Sequence, residues 1–204
     1  MQSEQMHWLW TEVPMLEDVK DYQQKLTDSE RDFLTKILRF FTQGDIDVSG
    51  AYVNSYLPRF KQPEVRMMLS SFAAREAVHI AAYSHLIETL GLPESIYNEF
   101  LQYEPWRLSM TSSMKSAATR AILRLQIAAF SAFTEGMQLF SSFVMLLNFT
   151  RCGTMKGMGQ IIAWSIADET LHTESMTKIF REYITEIRSY GRMSLKPRFT
   201  ASRK

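Results

Sequence analysis

Two pairs of residues in this sequence have types and a spacing that could bind metal: Glu76/His79 and Glu169/His172. Residues three positions apart on a helix lie side by side, so each pair could hold one ion from one helix face. Both pairs lie among apolar residues at helical spacing, where a carboxylate without a partner would be costly to bury. The pattern alone is not specific, because Glu4 also precedes His7 at this spacing in a polar stretch. The apolar surroundings of the other two pairs favour a buried metal site.

A single acid precedes each pair on an earlier helical stretch. Asp45 lies 31 residues before Glu76, and Glu135 lies 34 residues before Glu169. Either acid could instead be a surface residue, and either histidine a hydrogen-bonded core residue, but each shares its stripe with apolar side chains. Four carboxylates and two imidazoles without a thiolate favour iron or manganese over structural zinc. The predicted ligands of a two-metal site are therefore Asp45, Glu76, His79, Glu135, Glu169 and His172.

Tyr83 lies seven residues after Glu76 and four after His79, close to the same helix face. A tyrosine on a core stripe usually serves packing, so a redox role for it depends on the metal site. If the site is present, Tyr83 is a candidate store of an oxidising equivalent. We expect Phe72, Leu139 and Phe143 to shield its ring from water.

The spacing of apolar residues predicts an all-α fold, a four-helix bundle with the metal ligands facing inward. A Thr27-Asp28-Ser29-Glu30 capping box opens the first long helix, which we expect to end near Pro58. The other long helices are predicted over 63–90, 116–149 and 158–184, with a short helix over 93–103. We expect one domain over 1–204, with an N-terminal segment at 1–27. Segment 104–127 and the tail at 183–204 are both basic, and no structure is predicted for the tail.

Composition limits the classes of partner. The net charge of +1 gives no general case for binding nucleic acid or a membrane. The longest apolar run, 139–149, is too short to span a bilayer. Cys152 is the only cysteine, which excludes an internal disulfide and suits a reducing compartment. We therefore expect a cytoplasmic protein that binds neither nucleic acid nor membrane.

Three motifs resemble the small subunit of class I ribonucleotide reductase: Arg-Glu-Ala-Val-His-Ile-Ala-Ala-Tyr at 75–83, Phe-Thr-Glu-Gly at 133–136 and Ile-Ala-Asp-Glu-Thr-Leu-His at 166–172. The resemblance covers 8–104 and 128–182. It implies a ferritin-like bundle in which the six residues above bind two iron ions, with manganese possible. Tyr83 falls where that family keeps a stable tyrosyl radical. Asp168 matches an acid hydrogen-bonded to the histidine at position 79, and Trp10 matches a tryptophan that passes electrons toward that acid.

The same resemblance implies a homodimer and a separate large subunit, which reduces ribonucleotides to deoxyribonucleotides for DNA replication. Members of the family continue well beyond the second Glu-x-x-His pair, so we expect this chain to be truncated at its C-terminus. Two alternatives stay open: another ferritin-like di-iron oxidase or hydroxylase, and a truncated, inactive partner. The positions of Tyr83, Asp168 and Trp10 favour the reductase.

Overall fold

The computed structural model describes residues 7–93, 127 and 135–194, with the backbone alone described from 187. Every regular element within these ranges is helical, which confirms the all-α prediction. The predicted short helix at 93–103 and basic segment at 104–127 lie almost wholly outside the described residues. None of the described helices combines the length and apolarity that crossing a membrane requires.

The first two predicted helices are present. Helix α2 spans Asp28–Ala51 and opens with the predicted capping box, in which Thr27 and Glu30 satisfy each other's backbone N–H groups. A five-residue π-helical turn, Tyr52–Tyr56, continues it before the chain leaves the helix. Helix α3 spans Pro63–Thr89 and begins with proline in its first turn, where the missing N–H costs no hydrogen bond.

The N-terminal segment contains a helix that the sequence analysis missed. Helix α1 spans Leu16–Gln24 and follows a 3-10 turn at Trp10–Glu12. Asp18 accepts hydrogen bonds from the backbone N–H groups of Gly157 and Met158, at 2.8 and 2.6 Å. Asp21 accepts one from Met155 N at 2.9 Å. These two buried carboxylates therefore satisfy the free N–H groups where the last long helix begins.

The last two helices differ from the predicted bounds. Helix α4 spans Phe140–Arg151 and is preceded by a π-helical turn over 135–139; most of the predicted stretch before it lies outside the described residues. Helix α5 spans Lys156–Ser194, so it begins two residues earlier and ends ten residues later than predicted. The first part of the basic tail, for which no structure was predicted, is thus helical.

The buried apolar residues form two clusters on either side of a polar band. One cluster includes Phe41 and Tyr83, and the other includes Val48 and Phe72. In α2, Asp45 lies between Phe41 and Val48 in sequence. In α3, the first Glu-x-x-His pair lies between Phe72 and Tyr83 in the same way. The predicted ligands therefore occupy the boundary between the two halves of the core.

Gly159 permits a close approach of α5 to the end of α4, and we expect Gly159→Ala to destabilise the protein. A Cβ atom at Gly159 would lie 2.9 Å from Thr150 Cγ2 and 3.1 Å from its Cβ. Thr150 is held there by a 3.2 Å hydrogen bond from its hydroxyl to Met155 O. Overpacking of this kind lowers the free energy of unfolding by about 1–3 kcal/mol.

Gly50→Ala is the matched control, because its added Cβ would meet only Asn54 Nδ2 at 3.8 Å, an ordinary contact distance. Alanine inside a helix should raise the free energy of unfolding by about 1 kcal/mol. Urea unfolding followed by circular dichroism measures both changes. Equal stability of the Gly159 variant and the wild type would contradict the close approach.

Candidate metal centre

The six predicted ligands meet in the interior as two groups that share one residue. One ligand atom from each of Glu76, Glu135, Glu169 and His172 lies within 4.8 Å of the others. The same holds for a second group, Asp45, Glu76 and His79. All six side chains are buried, with exposed fractions of 0 or 1%. Two ions could therefore bind next to each other, with Glu76 common to both.

Glu76 and Glu169 both reach both histidines. His79 Nδ1 lies 3.4 Å from Glu76 Oε2 and 3.1 Å from Glu169 Oε1. His172 Nδ1 lies 3.0 Å from Glu76 Oε1 and 3.5 Å from Glu169 Oε2. Glu76 and Glu169 therefore lie between the two imidazoles, and Glu76 is the residue that the two groups share. The Nδ1 atoms of both histidines face the shared carboxylates.

The chemistry of the buried atoms fits cations. Within the described part of the chain, seven of the buried atoms that lack a hydrogen-bond partner belong to this cluster: Asp45 Oδ2, Glu76 Oε1 and Oε2, Glu135 Oε2, Glu169 Oε1 and Oε2, and His172 Nδ1. A buried polar atom without a partner is unfavourable, and carboxylates are the most costly case. Two divalent ions would satisfy these oxygens and nitrogens together.

Burial and mutual repulsion dominate the electrostatics of the acids. Burial, followed by the charge of Glu76, raises the pKa of Asp45 well above its usual value. Burial and then the charge of Glu169 do the same to the pKa of Glu135. Burial also opposes ionisation of Glu169, but His172 and His79 outweigh it and lower its pKa to about 2. Asp45 and Glu135 therefore favour the neutral form, whereas Glu169 favours the charged form.

The histidines favour the charged form despite their burial. Burial lowers the pKa of His79, but the hydrogen bond with Asp168 and the nearby carboxylates of Glu169 and Glu76 outweigh it and raise that pKa well above the usual value. His172 behaves similarly: the charge of Glu169 overcomes burial and raises its pKa to about 10. Without metal, the site thus balances part of its negative charge with protons on imidazole.

Asp168 lies behind His79, as expected. Its Oδ2 atom is 3.0 Å from His79 Nε2 and 3.5 Å from Arg75 Nε. A carboxylate on the far nitrogen fixes the orientation of a ligating imidazole and increases its basicity. Asp168 is therefore positioned to orient His79, with its Nδ1 toward the candidate ions.

The tryptophan at Asp168 is Trp8, so the assignment of Trp10 to this contact is wrong. Trp8 Nε1 donates to Asp168 Oδ2 at 2.9 Å, and its ring stacks on His79 with centroids 5.7 Å apart. Trp10 begins the 3-10 turn, is partly exposed and packs at the edge of the core. Of these two tryptophans, Trp8 is therefore the one whose indole hydrogen-bonds to Asp168.

Tyr83 is buried beside the Asp45 group. Its hydroxyl donates to Ser165 Oγ at 2.9 Å. Burial, followed by the charge of Asp45, raises the pKa of the Tyr83 phenol. The ring stacks on Phe41 with centroids 5.1 Å apart, and Phe41 stacks in turn on Phe143 at 4.8 Å. Phe41 therefore covers Tyr83 directly.

Two of the three predicted shielding residues share the Tyr83 cluster, Leu139 and Phe143. Phe72 does not. Its ring packs against His172, with centroids 4.2 Å apart, on the other side of the polar band.

Sequence analysis did not identify Tyr52 as a site residue. Its hydroxyl donates a short hydrogen bond to Glu135 Oε1, and its ring meets His172 edge-on with centroids 6.1 Å apart. Tyr52 lies seven residues after Asp45, the same spacing that places Tyr83 after Glu76. This repeated seven-residue spacing between an inward acid and a tyrosine is the sequence signal that could have identified Tyr52 as a site residue.

Buried carboxylates from several helices, combined with two Glu-x-x-His pairs, define a di-metal carboxylate bundle. The chain belongs to the family described as "Ribonucleotide reductase, small chain", whose sequence profile matches residues 1–197.

Individual relatives are similar over most of the chain. It is 53% identical over 198 residues to the "Probable ribonucleoside-diphosphate reductase small subunit 376L" of Invertebrate iridescent virus 6, covering 90% of this chain and 55% of that protein. It is 29% identical over 181 residues to the ribonucleoside-diphosphate reductase subunit beta of Chlamydia pneumoniae, covering 81% of this chain and 52% of that one. The chain thus spans about half the length of these relatives.

Solved structures show the same fold. The ribonucleotide reductase R2 subunit from Clostridium botulinum superposes with a TM-score of 0.83 at 22% identity, covering 93% of this chain and 61% of that one. A mutant R2-like ligand-binding oxidase with an aerobically reconstituted Mn/Fe cofactor gives 0.76 at 18% identity, covering 93% and 70%. These likenesses support the ferritin-like bundle.

We expect metal binding to release protons and to strengthen as pH rises. Metal requires neutral imidazoles and ionised carboxylates. In the metal-free protein the pKa of His172, raised to about 10, keeps a proton on the site near neutral pH, and the raised pKa values of Asp45, Glu135 and His79 act in the same direction. Anaerobic Mn²⁺ titration in weak buffer with a pH indicator should show acidification. The apparent affinity should increase between about pH 6.5 and 8.5, because His172 loses its proton only near pH 10. Affinity that does not change with pH would contradict this charge distribution.

Proposed function

We propose that this chain is the radical-generating part of a ribonucleotide reductase small subunit, a ribonucleoside-diphosphate reductase component. The observation that carries the proposal is the burial of Tyr83 beside a cluster that could hold two ions. Membership in the family and the likeness to viral reductase subunits support the same activity. The product of the whole enzyme would be deoxyribonucleotides for DNA synthesis.

The six clustered acids and histidines would hold two iron or manganese ions. When bound, such ions supply the oxidising power that is generated with an oxygen species. The protein contributes the dry, low-dielectric interior and the fixed positions of the ligands. Asp168 holds His79 in one orientation through its Nε2.

Tyr83 would store the oxidising equivalent as a tyrosyl radical by losing one electron and its phenolic proton. Phe41 lies against the ring, and the exposed fraction of Tyr83 is 1%. Water and small reductants therefore have little access to it. The hydrogen bond to Ser165 fixes the hydroxyl group.

The connected groups Trp8, Asp168 and His79 would carry electrons between the metal centre and the surface. Trp8 touches both Asp168 and His79, and its exposed fraction is 5%. These contacts support Trp8 as the residue through which electrons would pass between the partner protein and the candidate metal centre. The partner would be the reductase large subunit, which would hold the nucleotide.

We also propose a homodimer in the cytoplasm that binds neither nucleic acid nor membrane. The balanced net charge supports the absence of a nucleic-acid partner.

The fold is also shared with R2-like ligand-binding oxidases. An oxidase acting on a small ligand is the second candidate, favoured by the presence of a second buried phenol, Tyr52, at the cluster.

Aerobic reconstitution with ferrous iron should give a tyrosyl electron paramagnetic resonance signal that disappears in Tyr83→Phe. The phenylalanine keeps the ring packed on Phe41, so metal content should stay at the wild-type level. Elemental analysis of the same samples separates loss of the radical from loss of metal. A signal that persists in the variant would assign the radical to another residue, and a fully loaded wild type without a signal would favour the oxidase.

Trp8→Phe and Trp10→Phe should behave differently in electron transfer. Trp8→Phe removes the indole N–H that donates to Asp168, whereas Trp10 lies outside that connection. With the large subunit and substrate present, turnover should fall strongly in Trp8→Phe and stay near wild type in Trp10→Phe. The radical signal of the isolated protein should form in both. Equal loss of turnover in the two variants would argue against a path through Trp8.

A further inference from the structure

The two oxygens of Glu135 have different surroundings. Oε1 accepts the short hydrogen bond from the Tyr52 hydroxyl. Oε2 is buried and has no hydrogen-bond partner among the described residues. Glu135 also belongs to the group that includes Glu76, Glu169 and His172, whose ligand atoms lie within 4.8 Å of one another. One oxygen is therefore held by a phenol, and the other remains available to an ion.

Packing alone does not explain the Tyr52 hydroxyl. The ring is 1% exposed and meets Tyr56 and Phe72 edge-on, both with centroids 5.9 Å apart, so a phenylalanine would fill the same space. The hydroxyl adds a donor directed at one oxygen of one ligand. Its location in the π-helical turn after α2 agrees with the frequent occurrence of such turns at functional sites.

We propose that Tyr52 is a positioning residue that holds Glu135 as a one-oxygen ligand of the ion bound with His172. This inference rests on the proposed metal centre. A carboxylate whose second oxygen is occupied by a phenol cannot readily chelate an ion with both oxygens. The hydrogen bond thereby limits the coordination number of that ion and leaves space beside it.

Tyr83 provides a contrast within the same bundle. It follows Glu76 at the seven-residue spacing by which Tyr52 follows Asp45. Its hydroxyl, however, donates to Ser165, which is not a candidate ligand. The two phenols therefore have different roles. The Tyr83 hydroxyl donates to a residue outside the candidate ligands and is suited to oxidation, whereas the Tyr52 hydroxyl holds a candidate ligand. Two inequivalent ions are therefore expected, and the binding of only one of them should depend on Tyr52.

Anaerobic Co²⁺ titration of metal-free protein tests this, because the visible absorption of Co²⁺ reports both binding and coordination number. Wild type should bind two ions. In Tyr52→Phe, one ion should bind as in wild type and the other about 10- to 100-fold more weakly. The visible band of the weaker ion should also fall in intensity, as both oxygens of Glu135 become free to chelate and the coordination number rises.

Tyr56→Phe is the matched control, because it removes a buried hydroxyl one helical turn away and keeps the ring. It should bind both ions with the wild-type affinity and spectrum. Far-UV circular dichroism of the metal-free variants checks that the fold is retained, and the spectral change is a readout that a loss of stability alone would not produce.

The outcomes are distinct. Tyr52→Phe with wild-type affinities and spectrum would overturn the inference and leave the metal centre intact. Equal weakening in both variants would assign the effect to packing and also overturn it. Wild-type protein that binds fewer than two ions would overturn the metal centre itself, and the inference with it.

Discussion

The interior of this protein depends on a balance of charge: four carboxylates and two imidazoles are removed from water within one bundle. In the metal-free protein the negative charge of the acids is only partly compensated. Asp45 and Glu135 favour the neutral form, and the histidines stabilise the charge on Glu169. The apolar clusters on both sides cannot solvate these groups. Cations are partners that would satisfy them all, and α2, α3, the turn before α4, and α5 each supply a different part of the candidate ligand set.

Asp168 links this balance to the remainder of the molecule. One of its oxygens serves His79, Trp8 and Arg75 together, so the orientation of a ligand, the docking of the N-terminal segment and a buried ion pair depend on one atom. The indole of Trp8 is also in direct contact with the imidazole of His79, a candidate ligand. Structural support and the proposed electron transfer use the same contacts.

The meeting of the six candidate ligands in the interior could be predicted from sequence because helix periodicity is local. Asp45 and Glu76 share stripes with Phe41 and Phe72, and the capping box and Pro63 fixed where α2 and α3 begin. Contacts between distant segments were not predictable in this way. Trp8 and Asp168 are 160 residues apart in the sequence. The spacing of Trp8 and Trp10 does not indicate which of the two contacts Asp168. Tyr52 was not predicted as a site residue because its partner lies 83 residues away.

The carboxylates of α1 that receive the first N–H groups of α5 also set the axial register of a ligand helix. Each residue of an α-helix advances about 1.5 Å and turns about 100°. If α5 slipped by one residue, Glu169 and His172 would rotate out of the cluster. Asp18 accepts hydrogen bonds from the N–H groups of Gly157 and Met158, and a slip of α5 would break both of them. A short helix outside the ligand set thus determines how deeply two of the six ligands reach into the bundle.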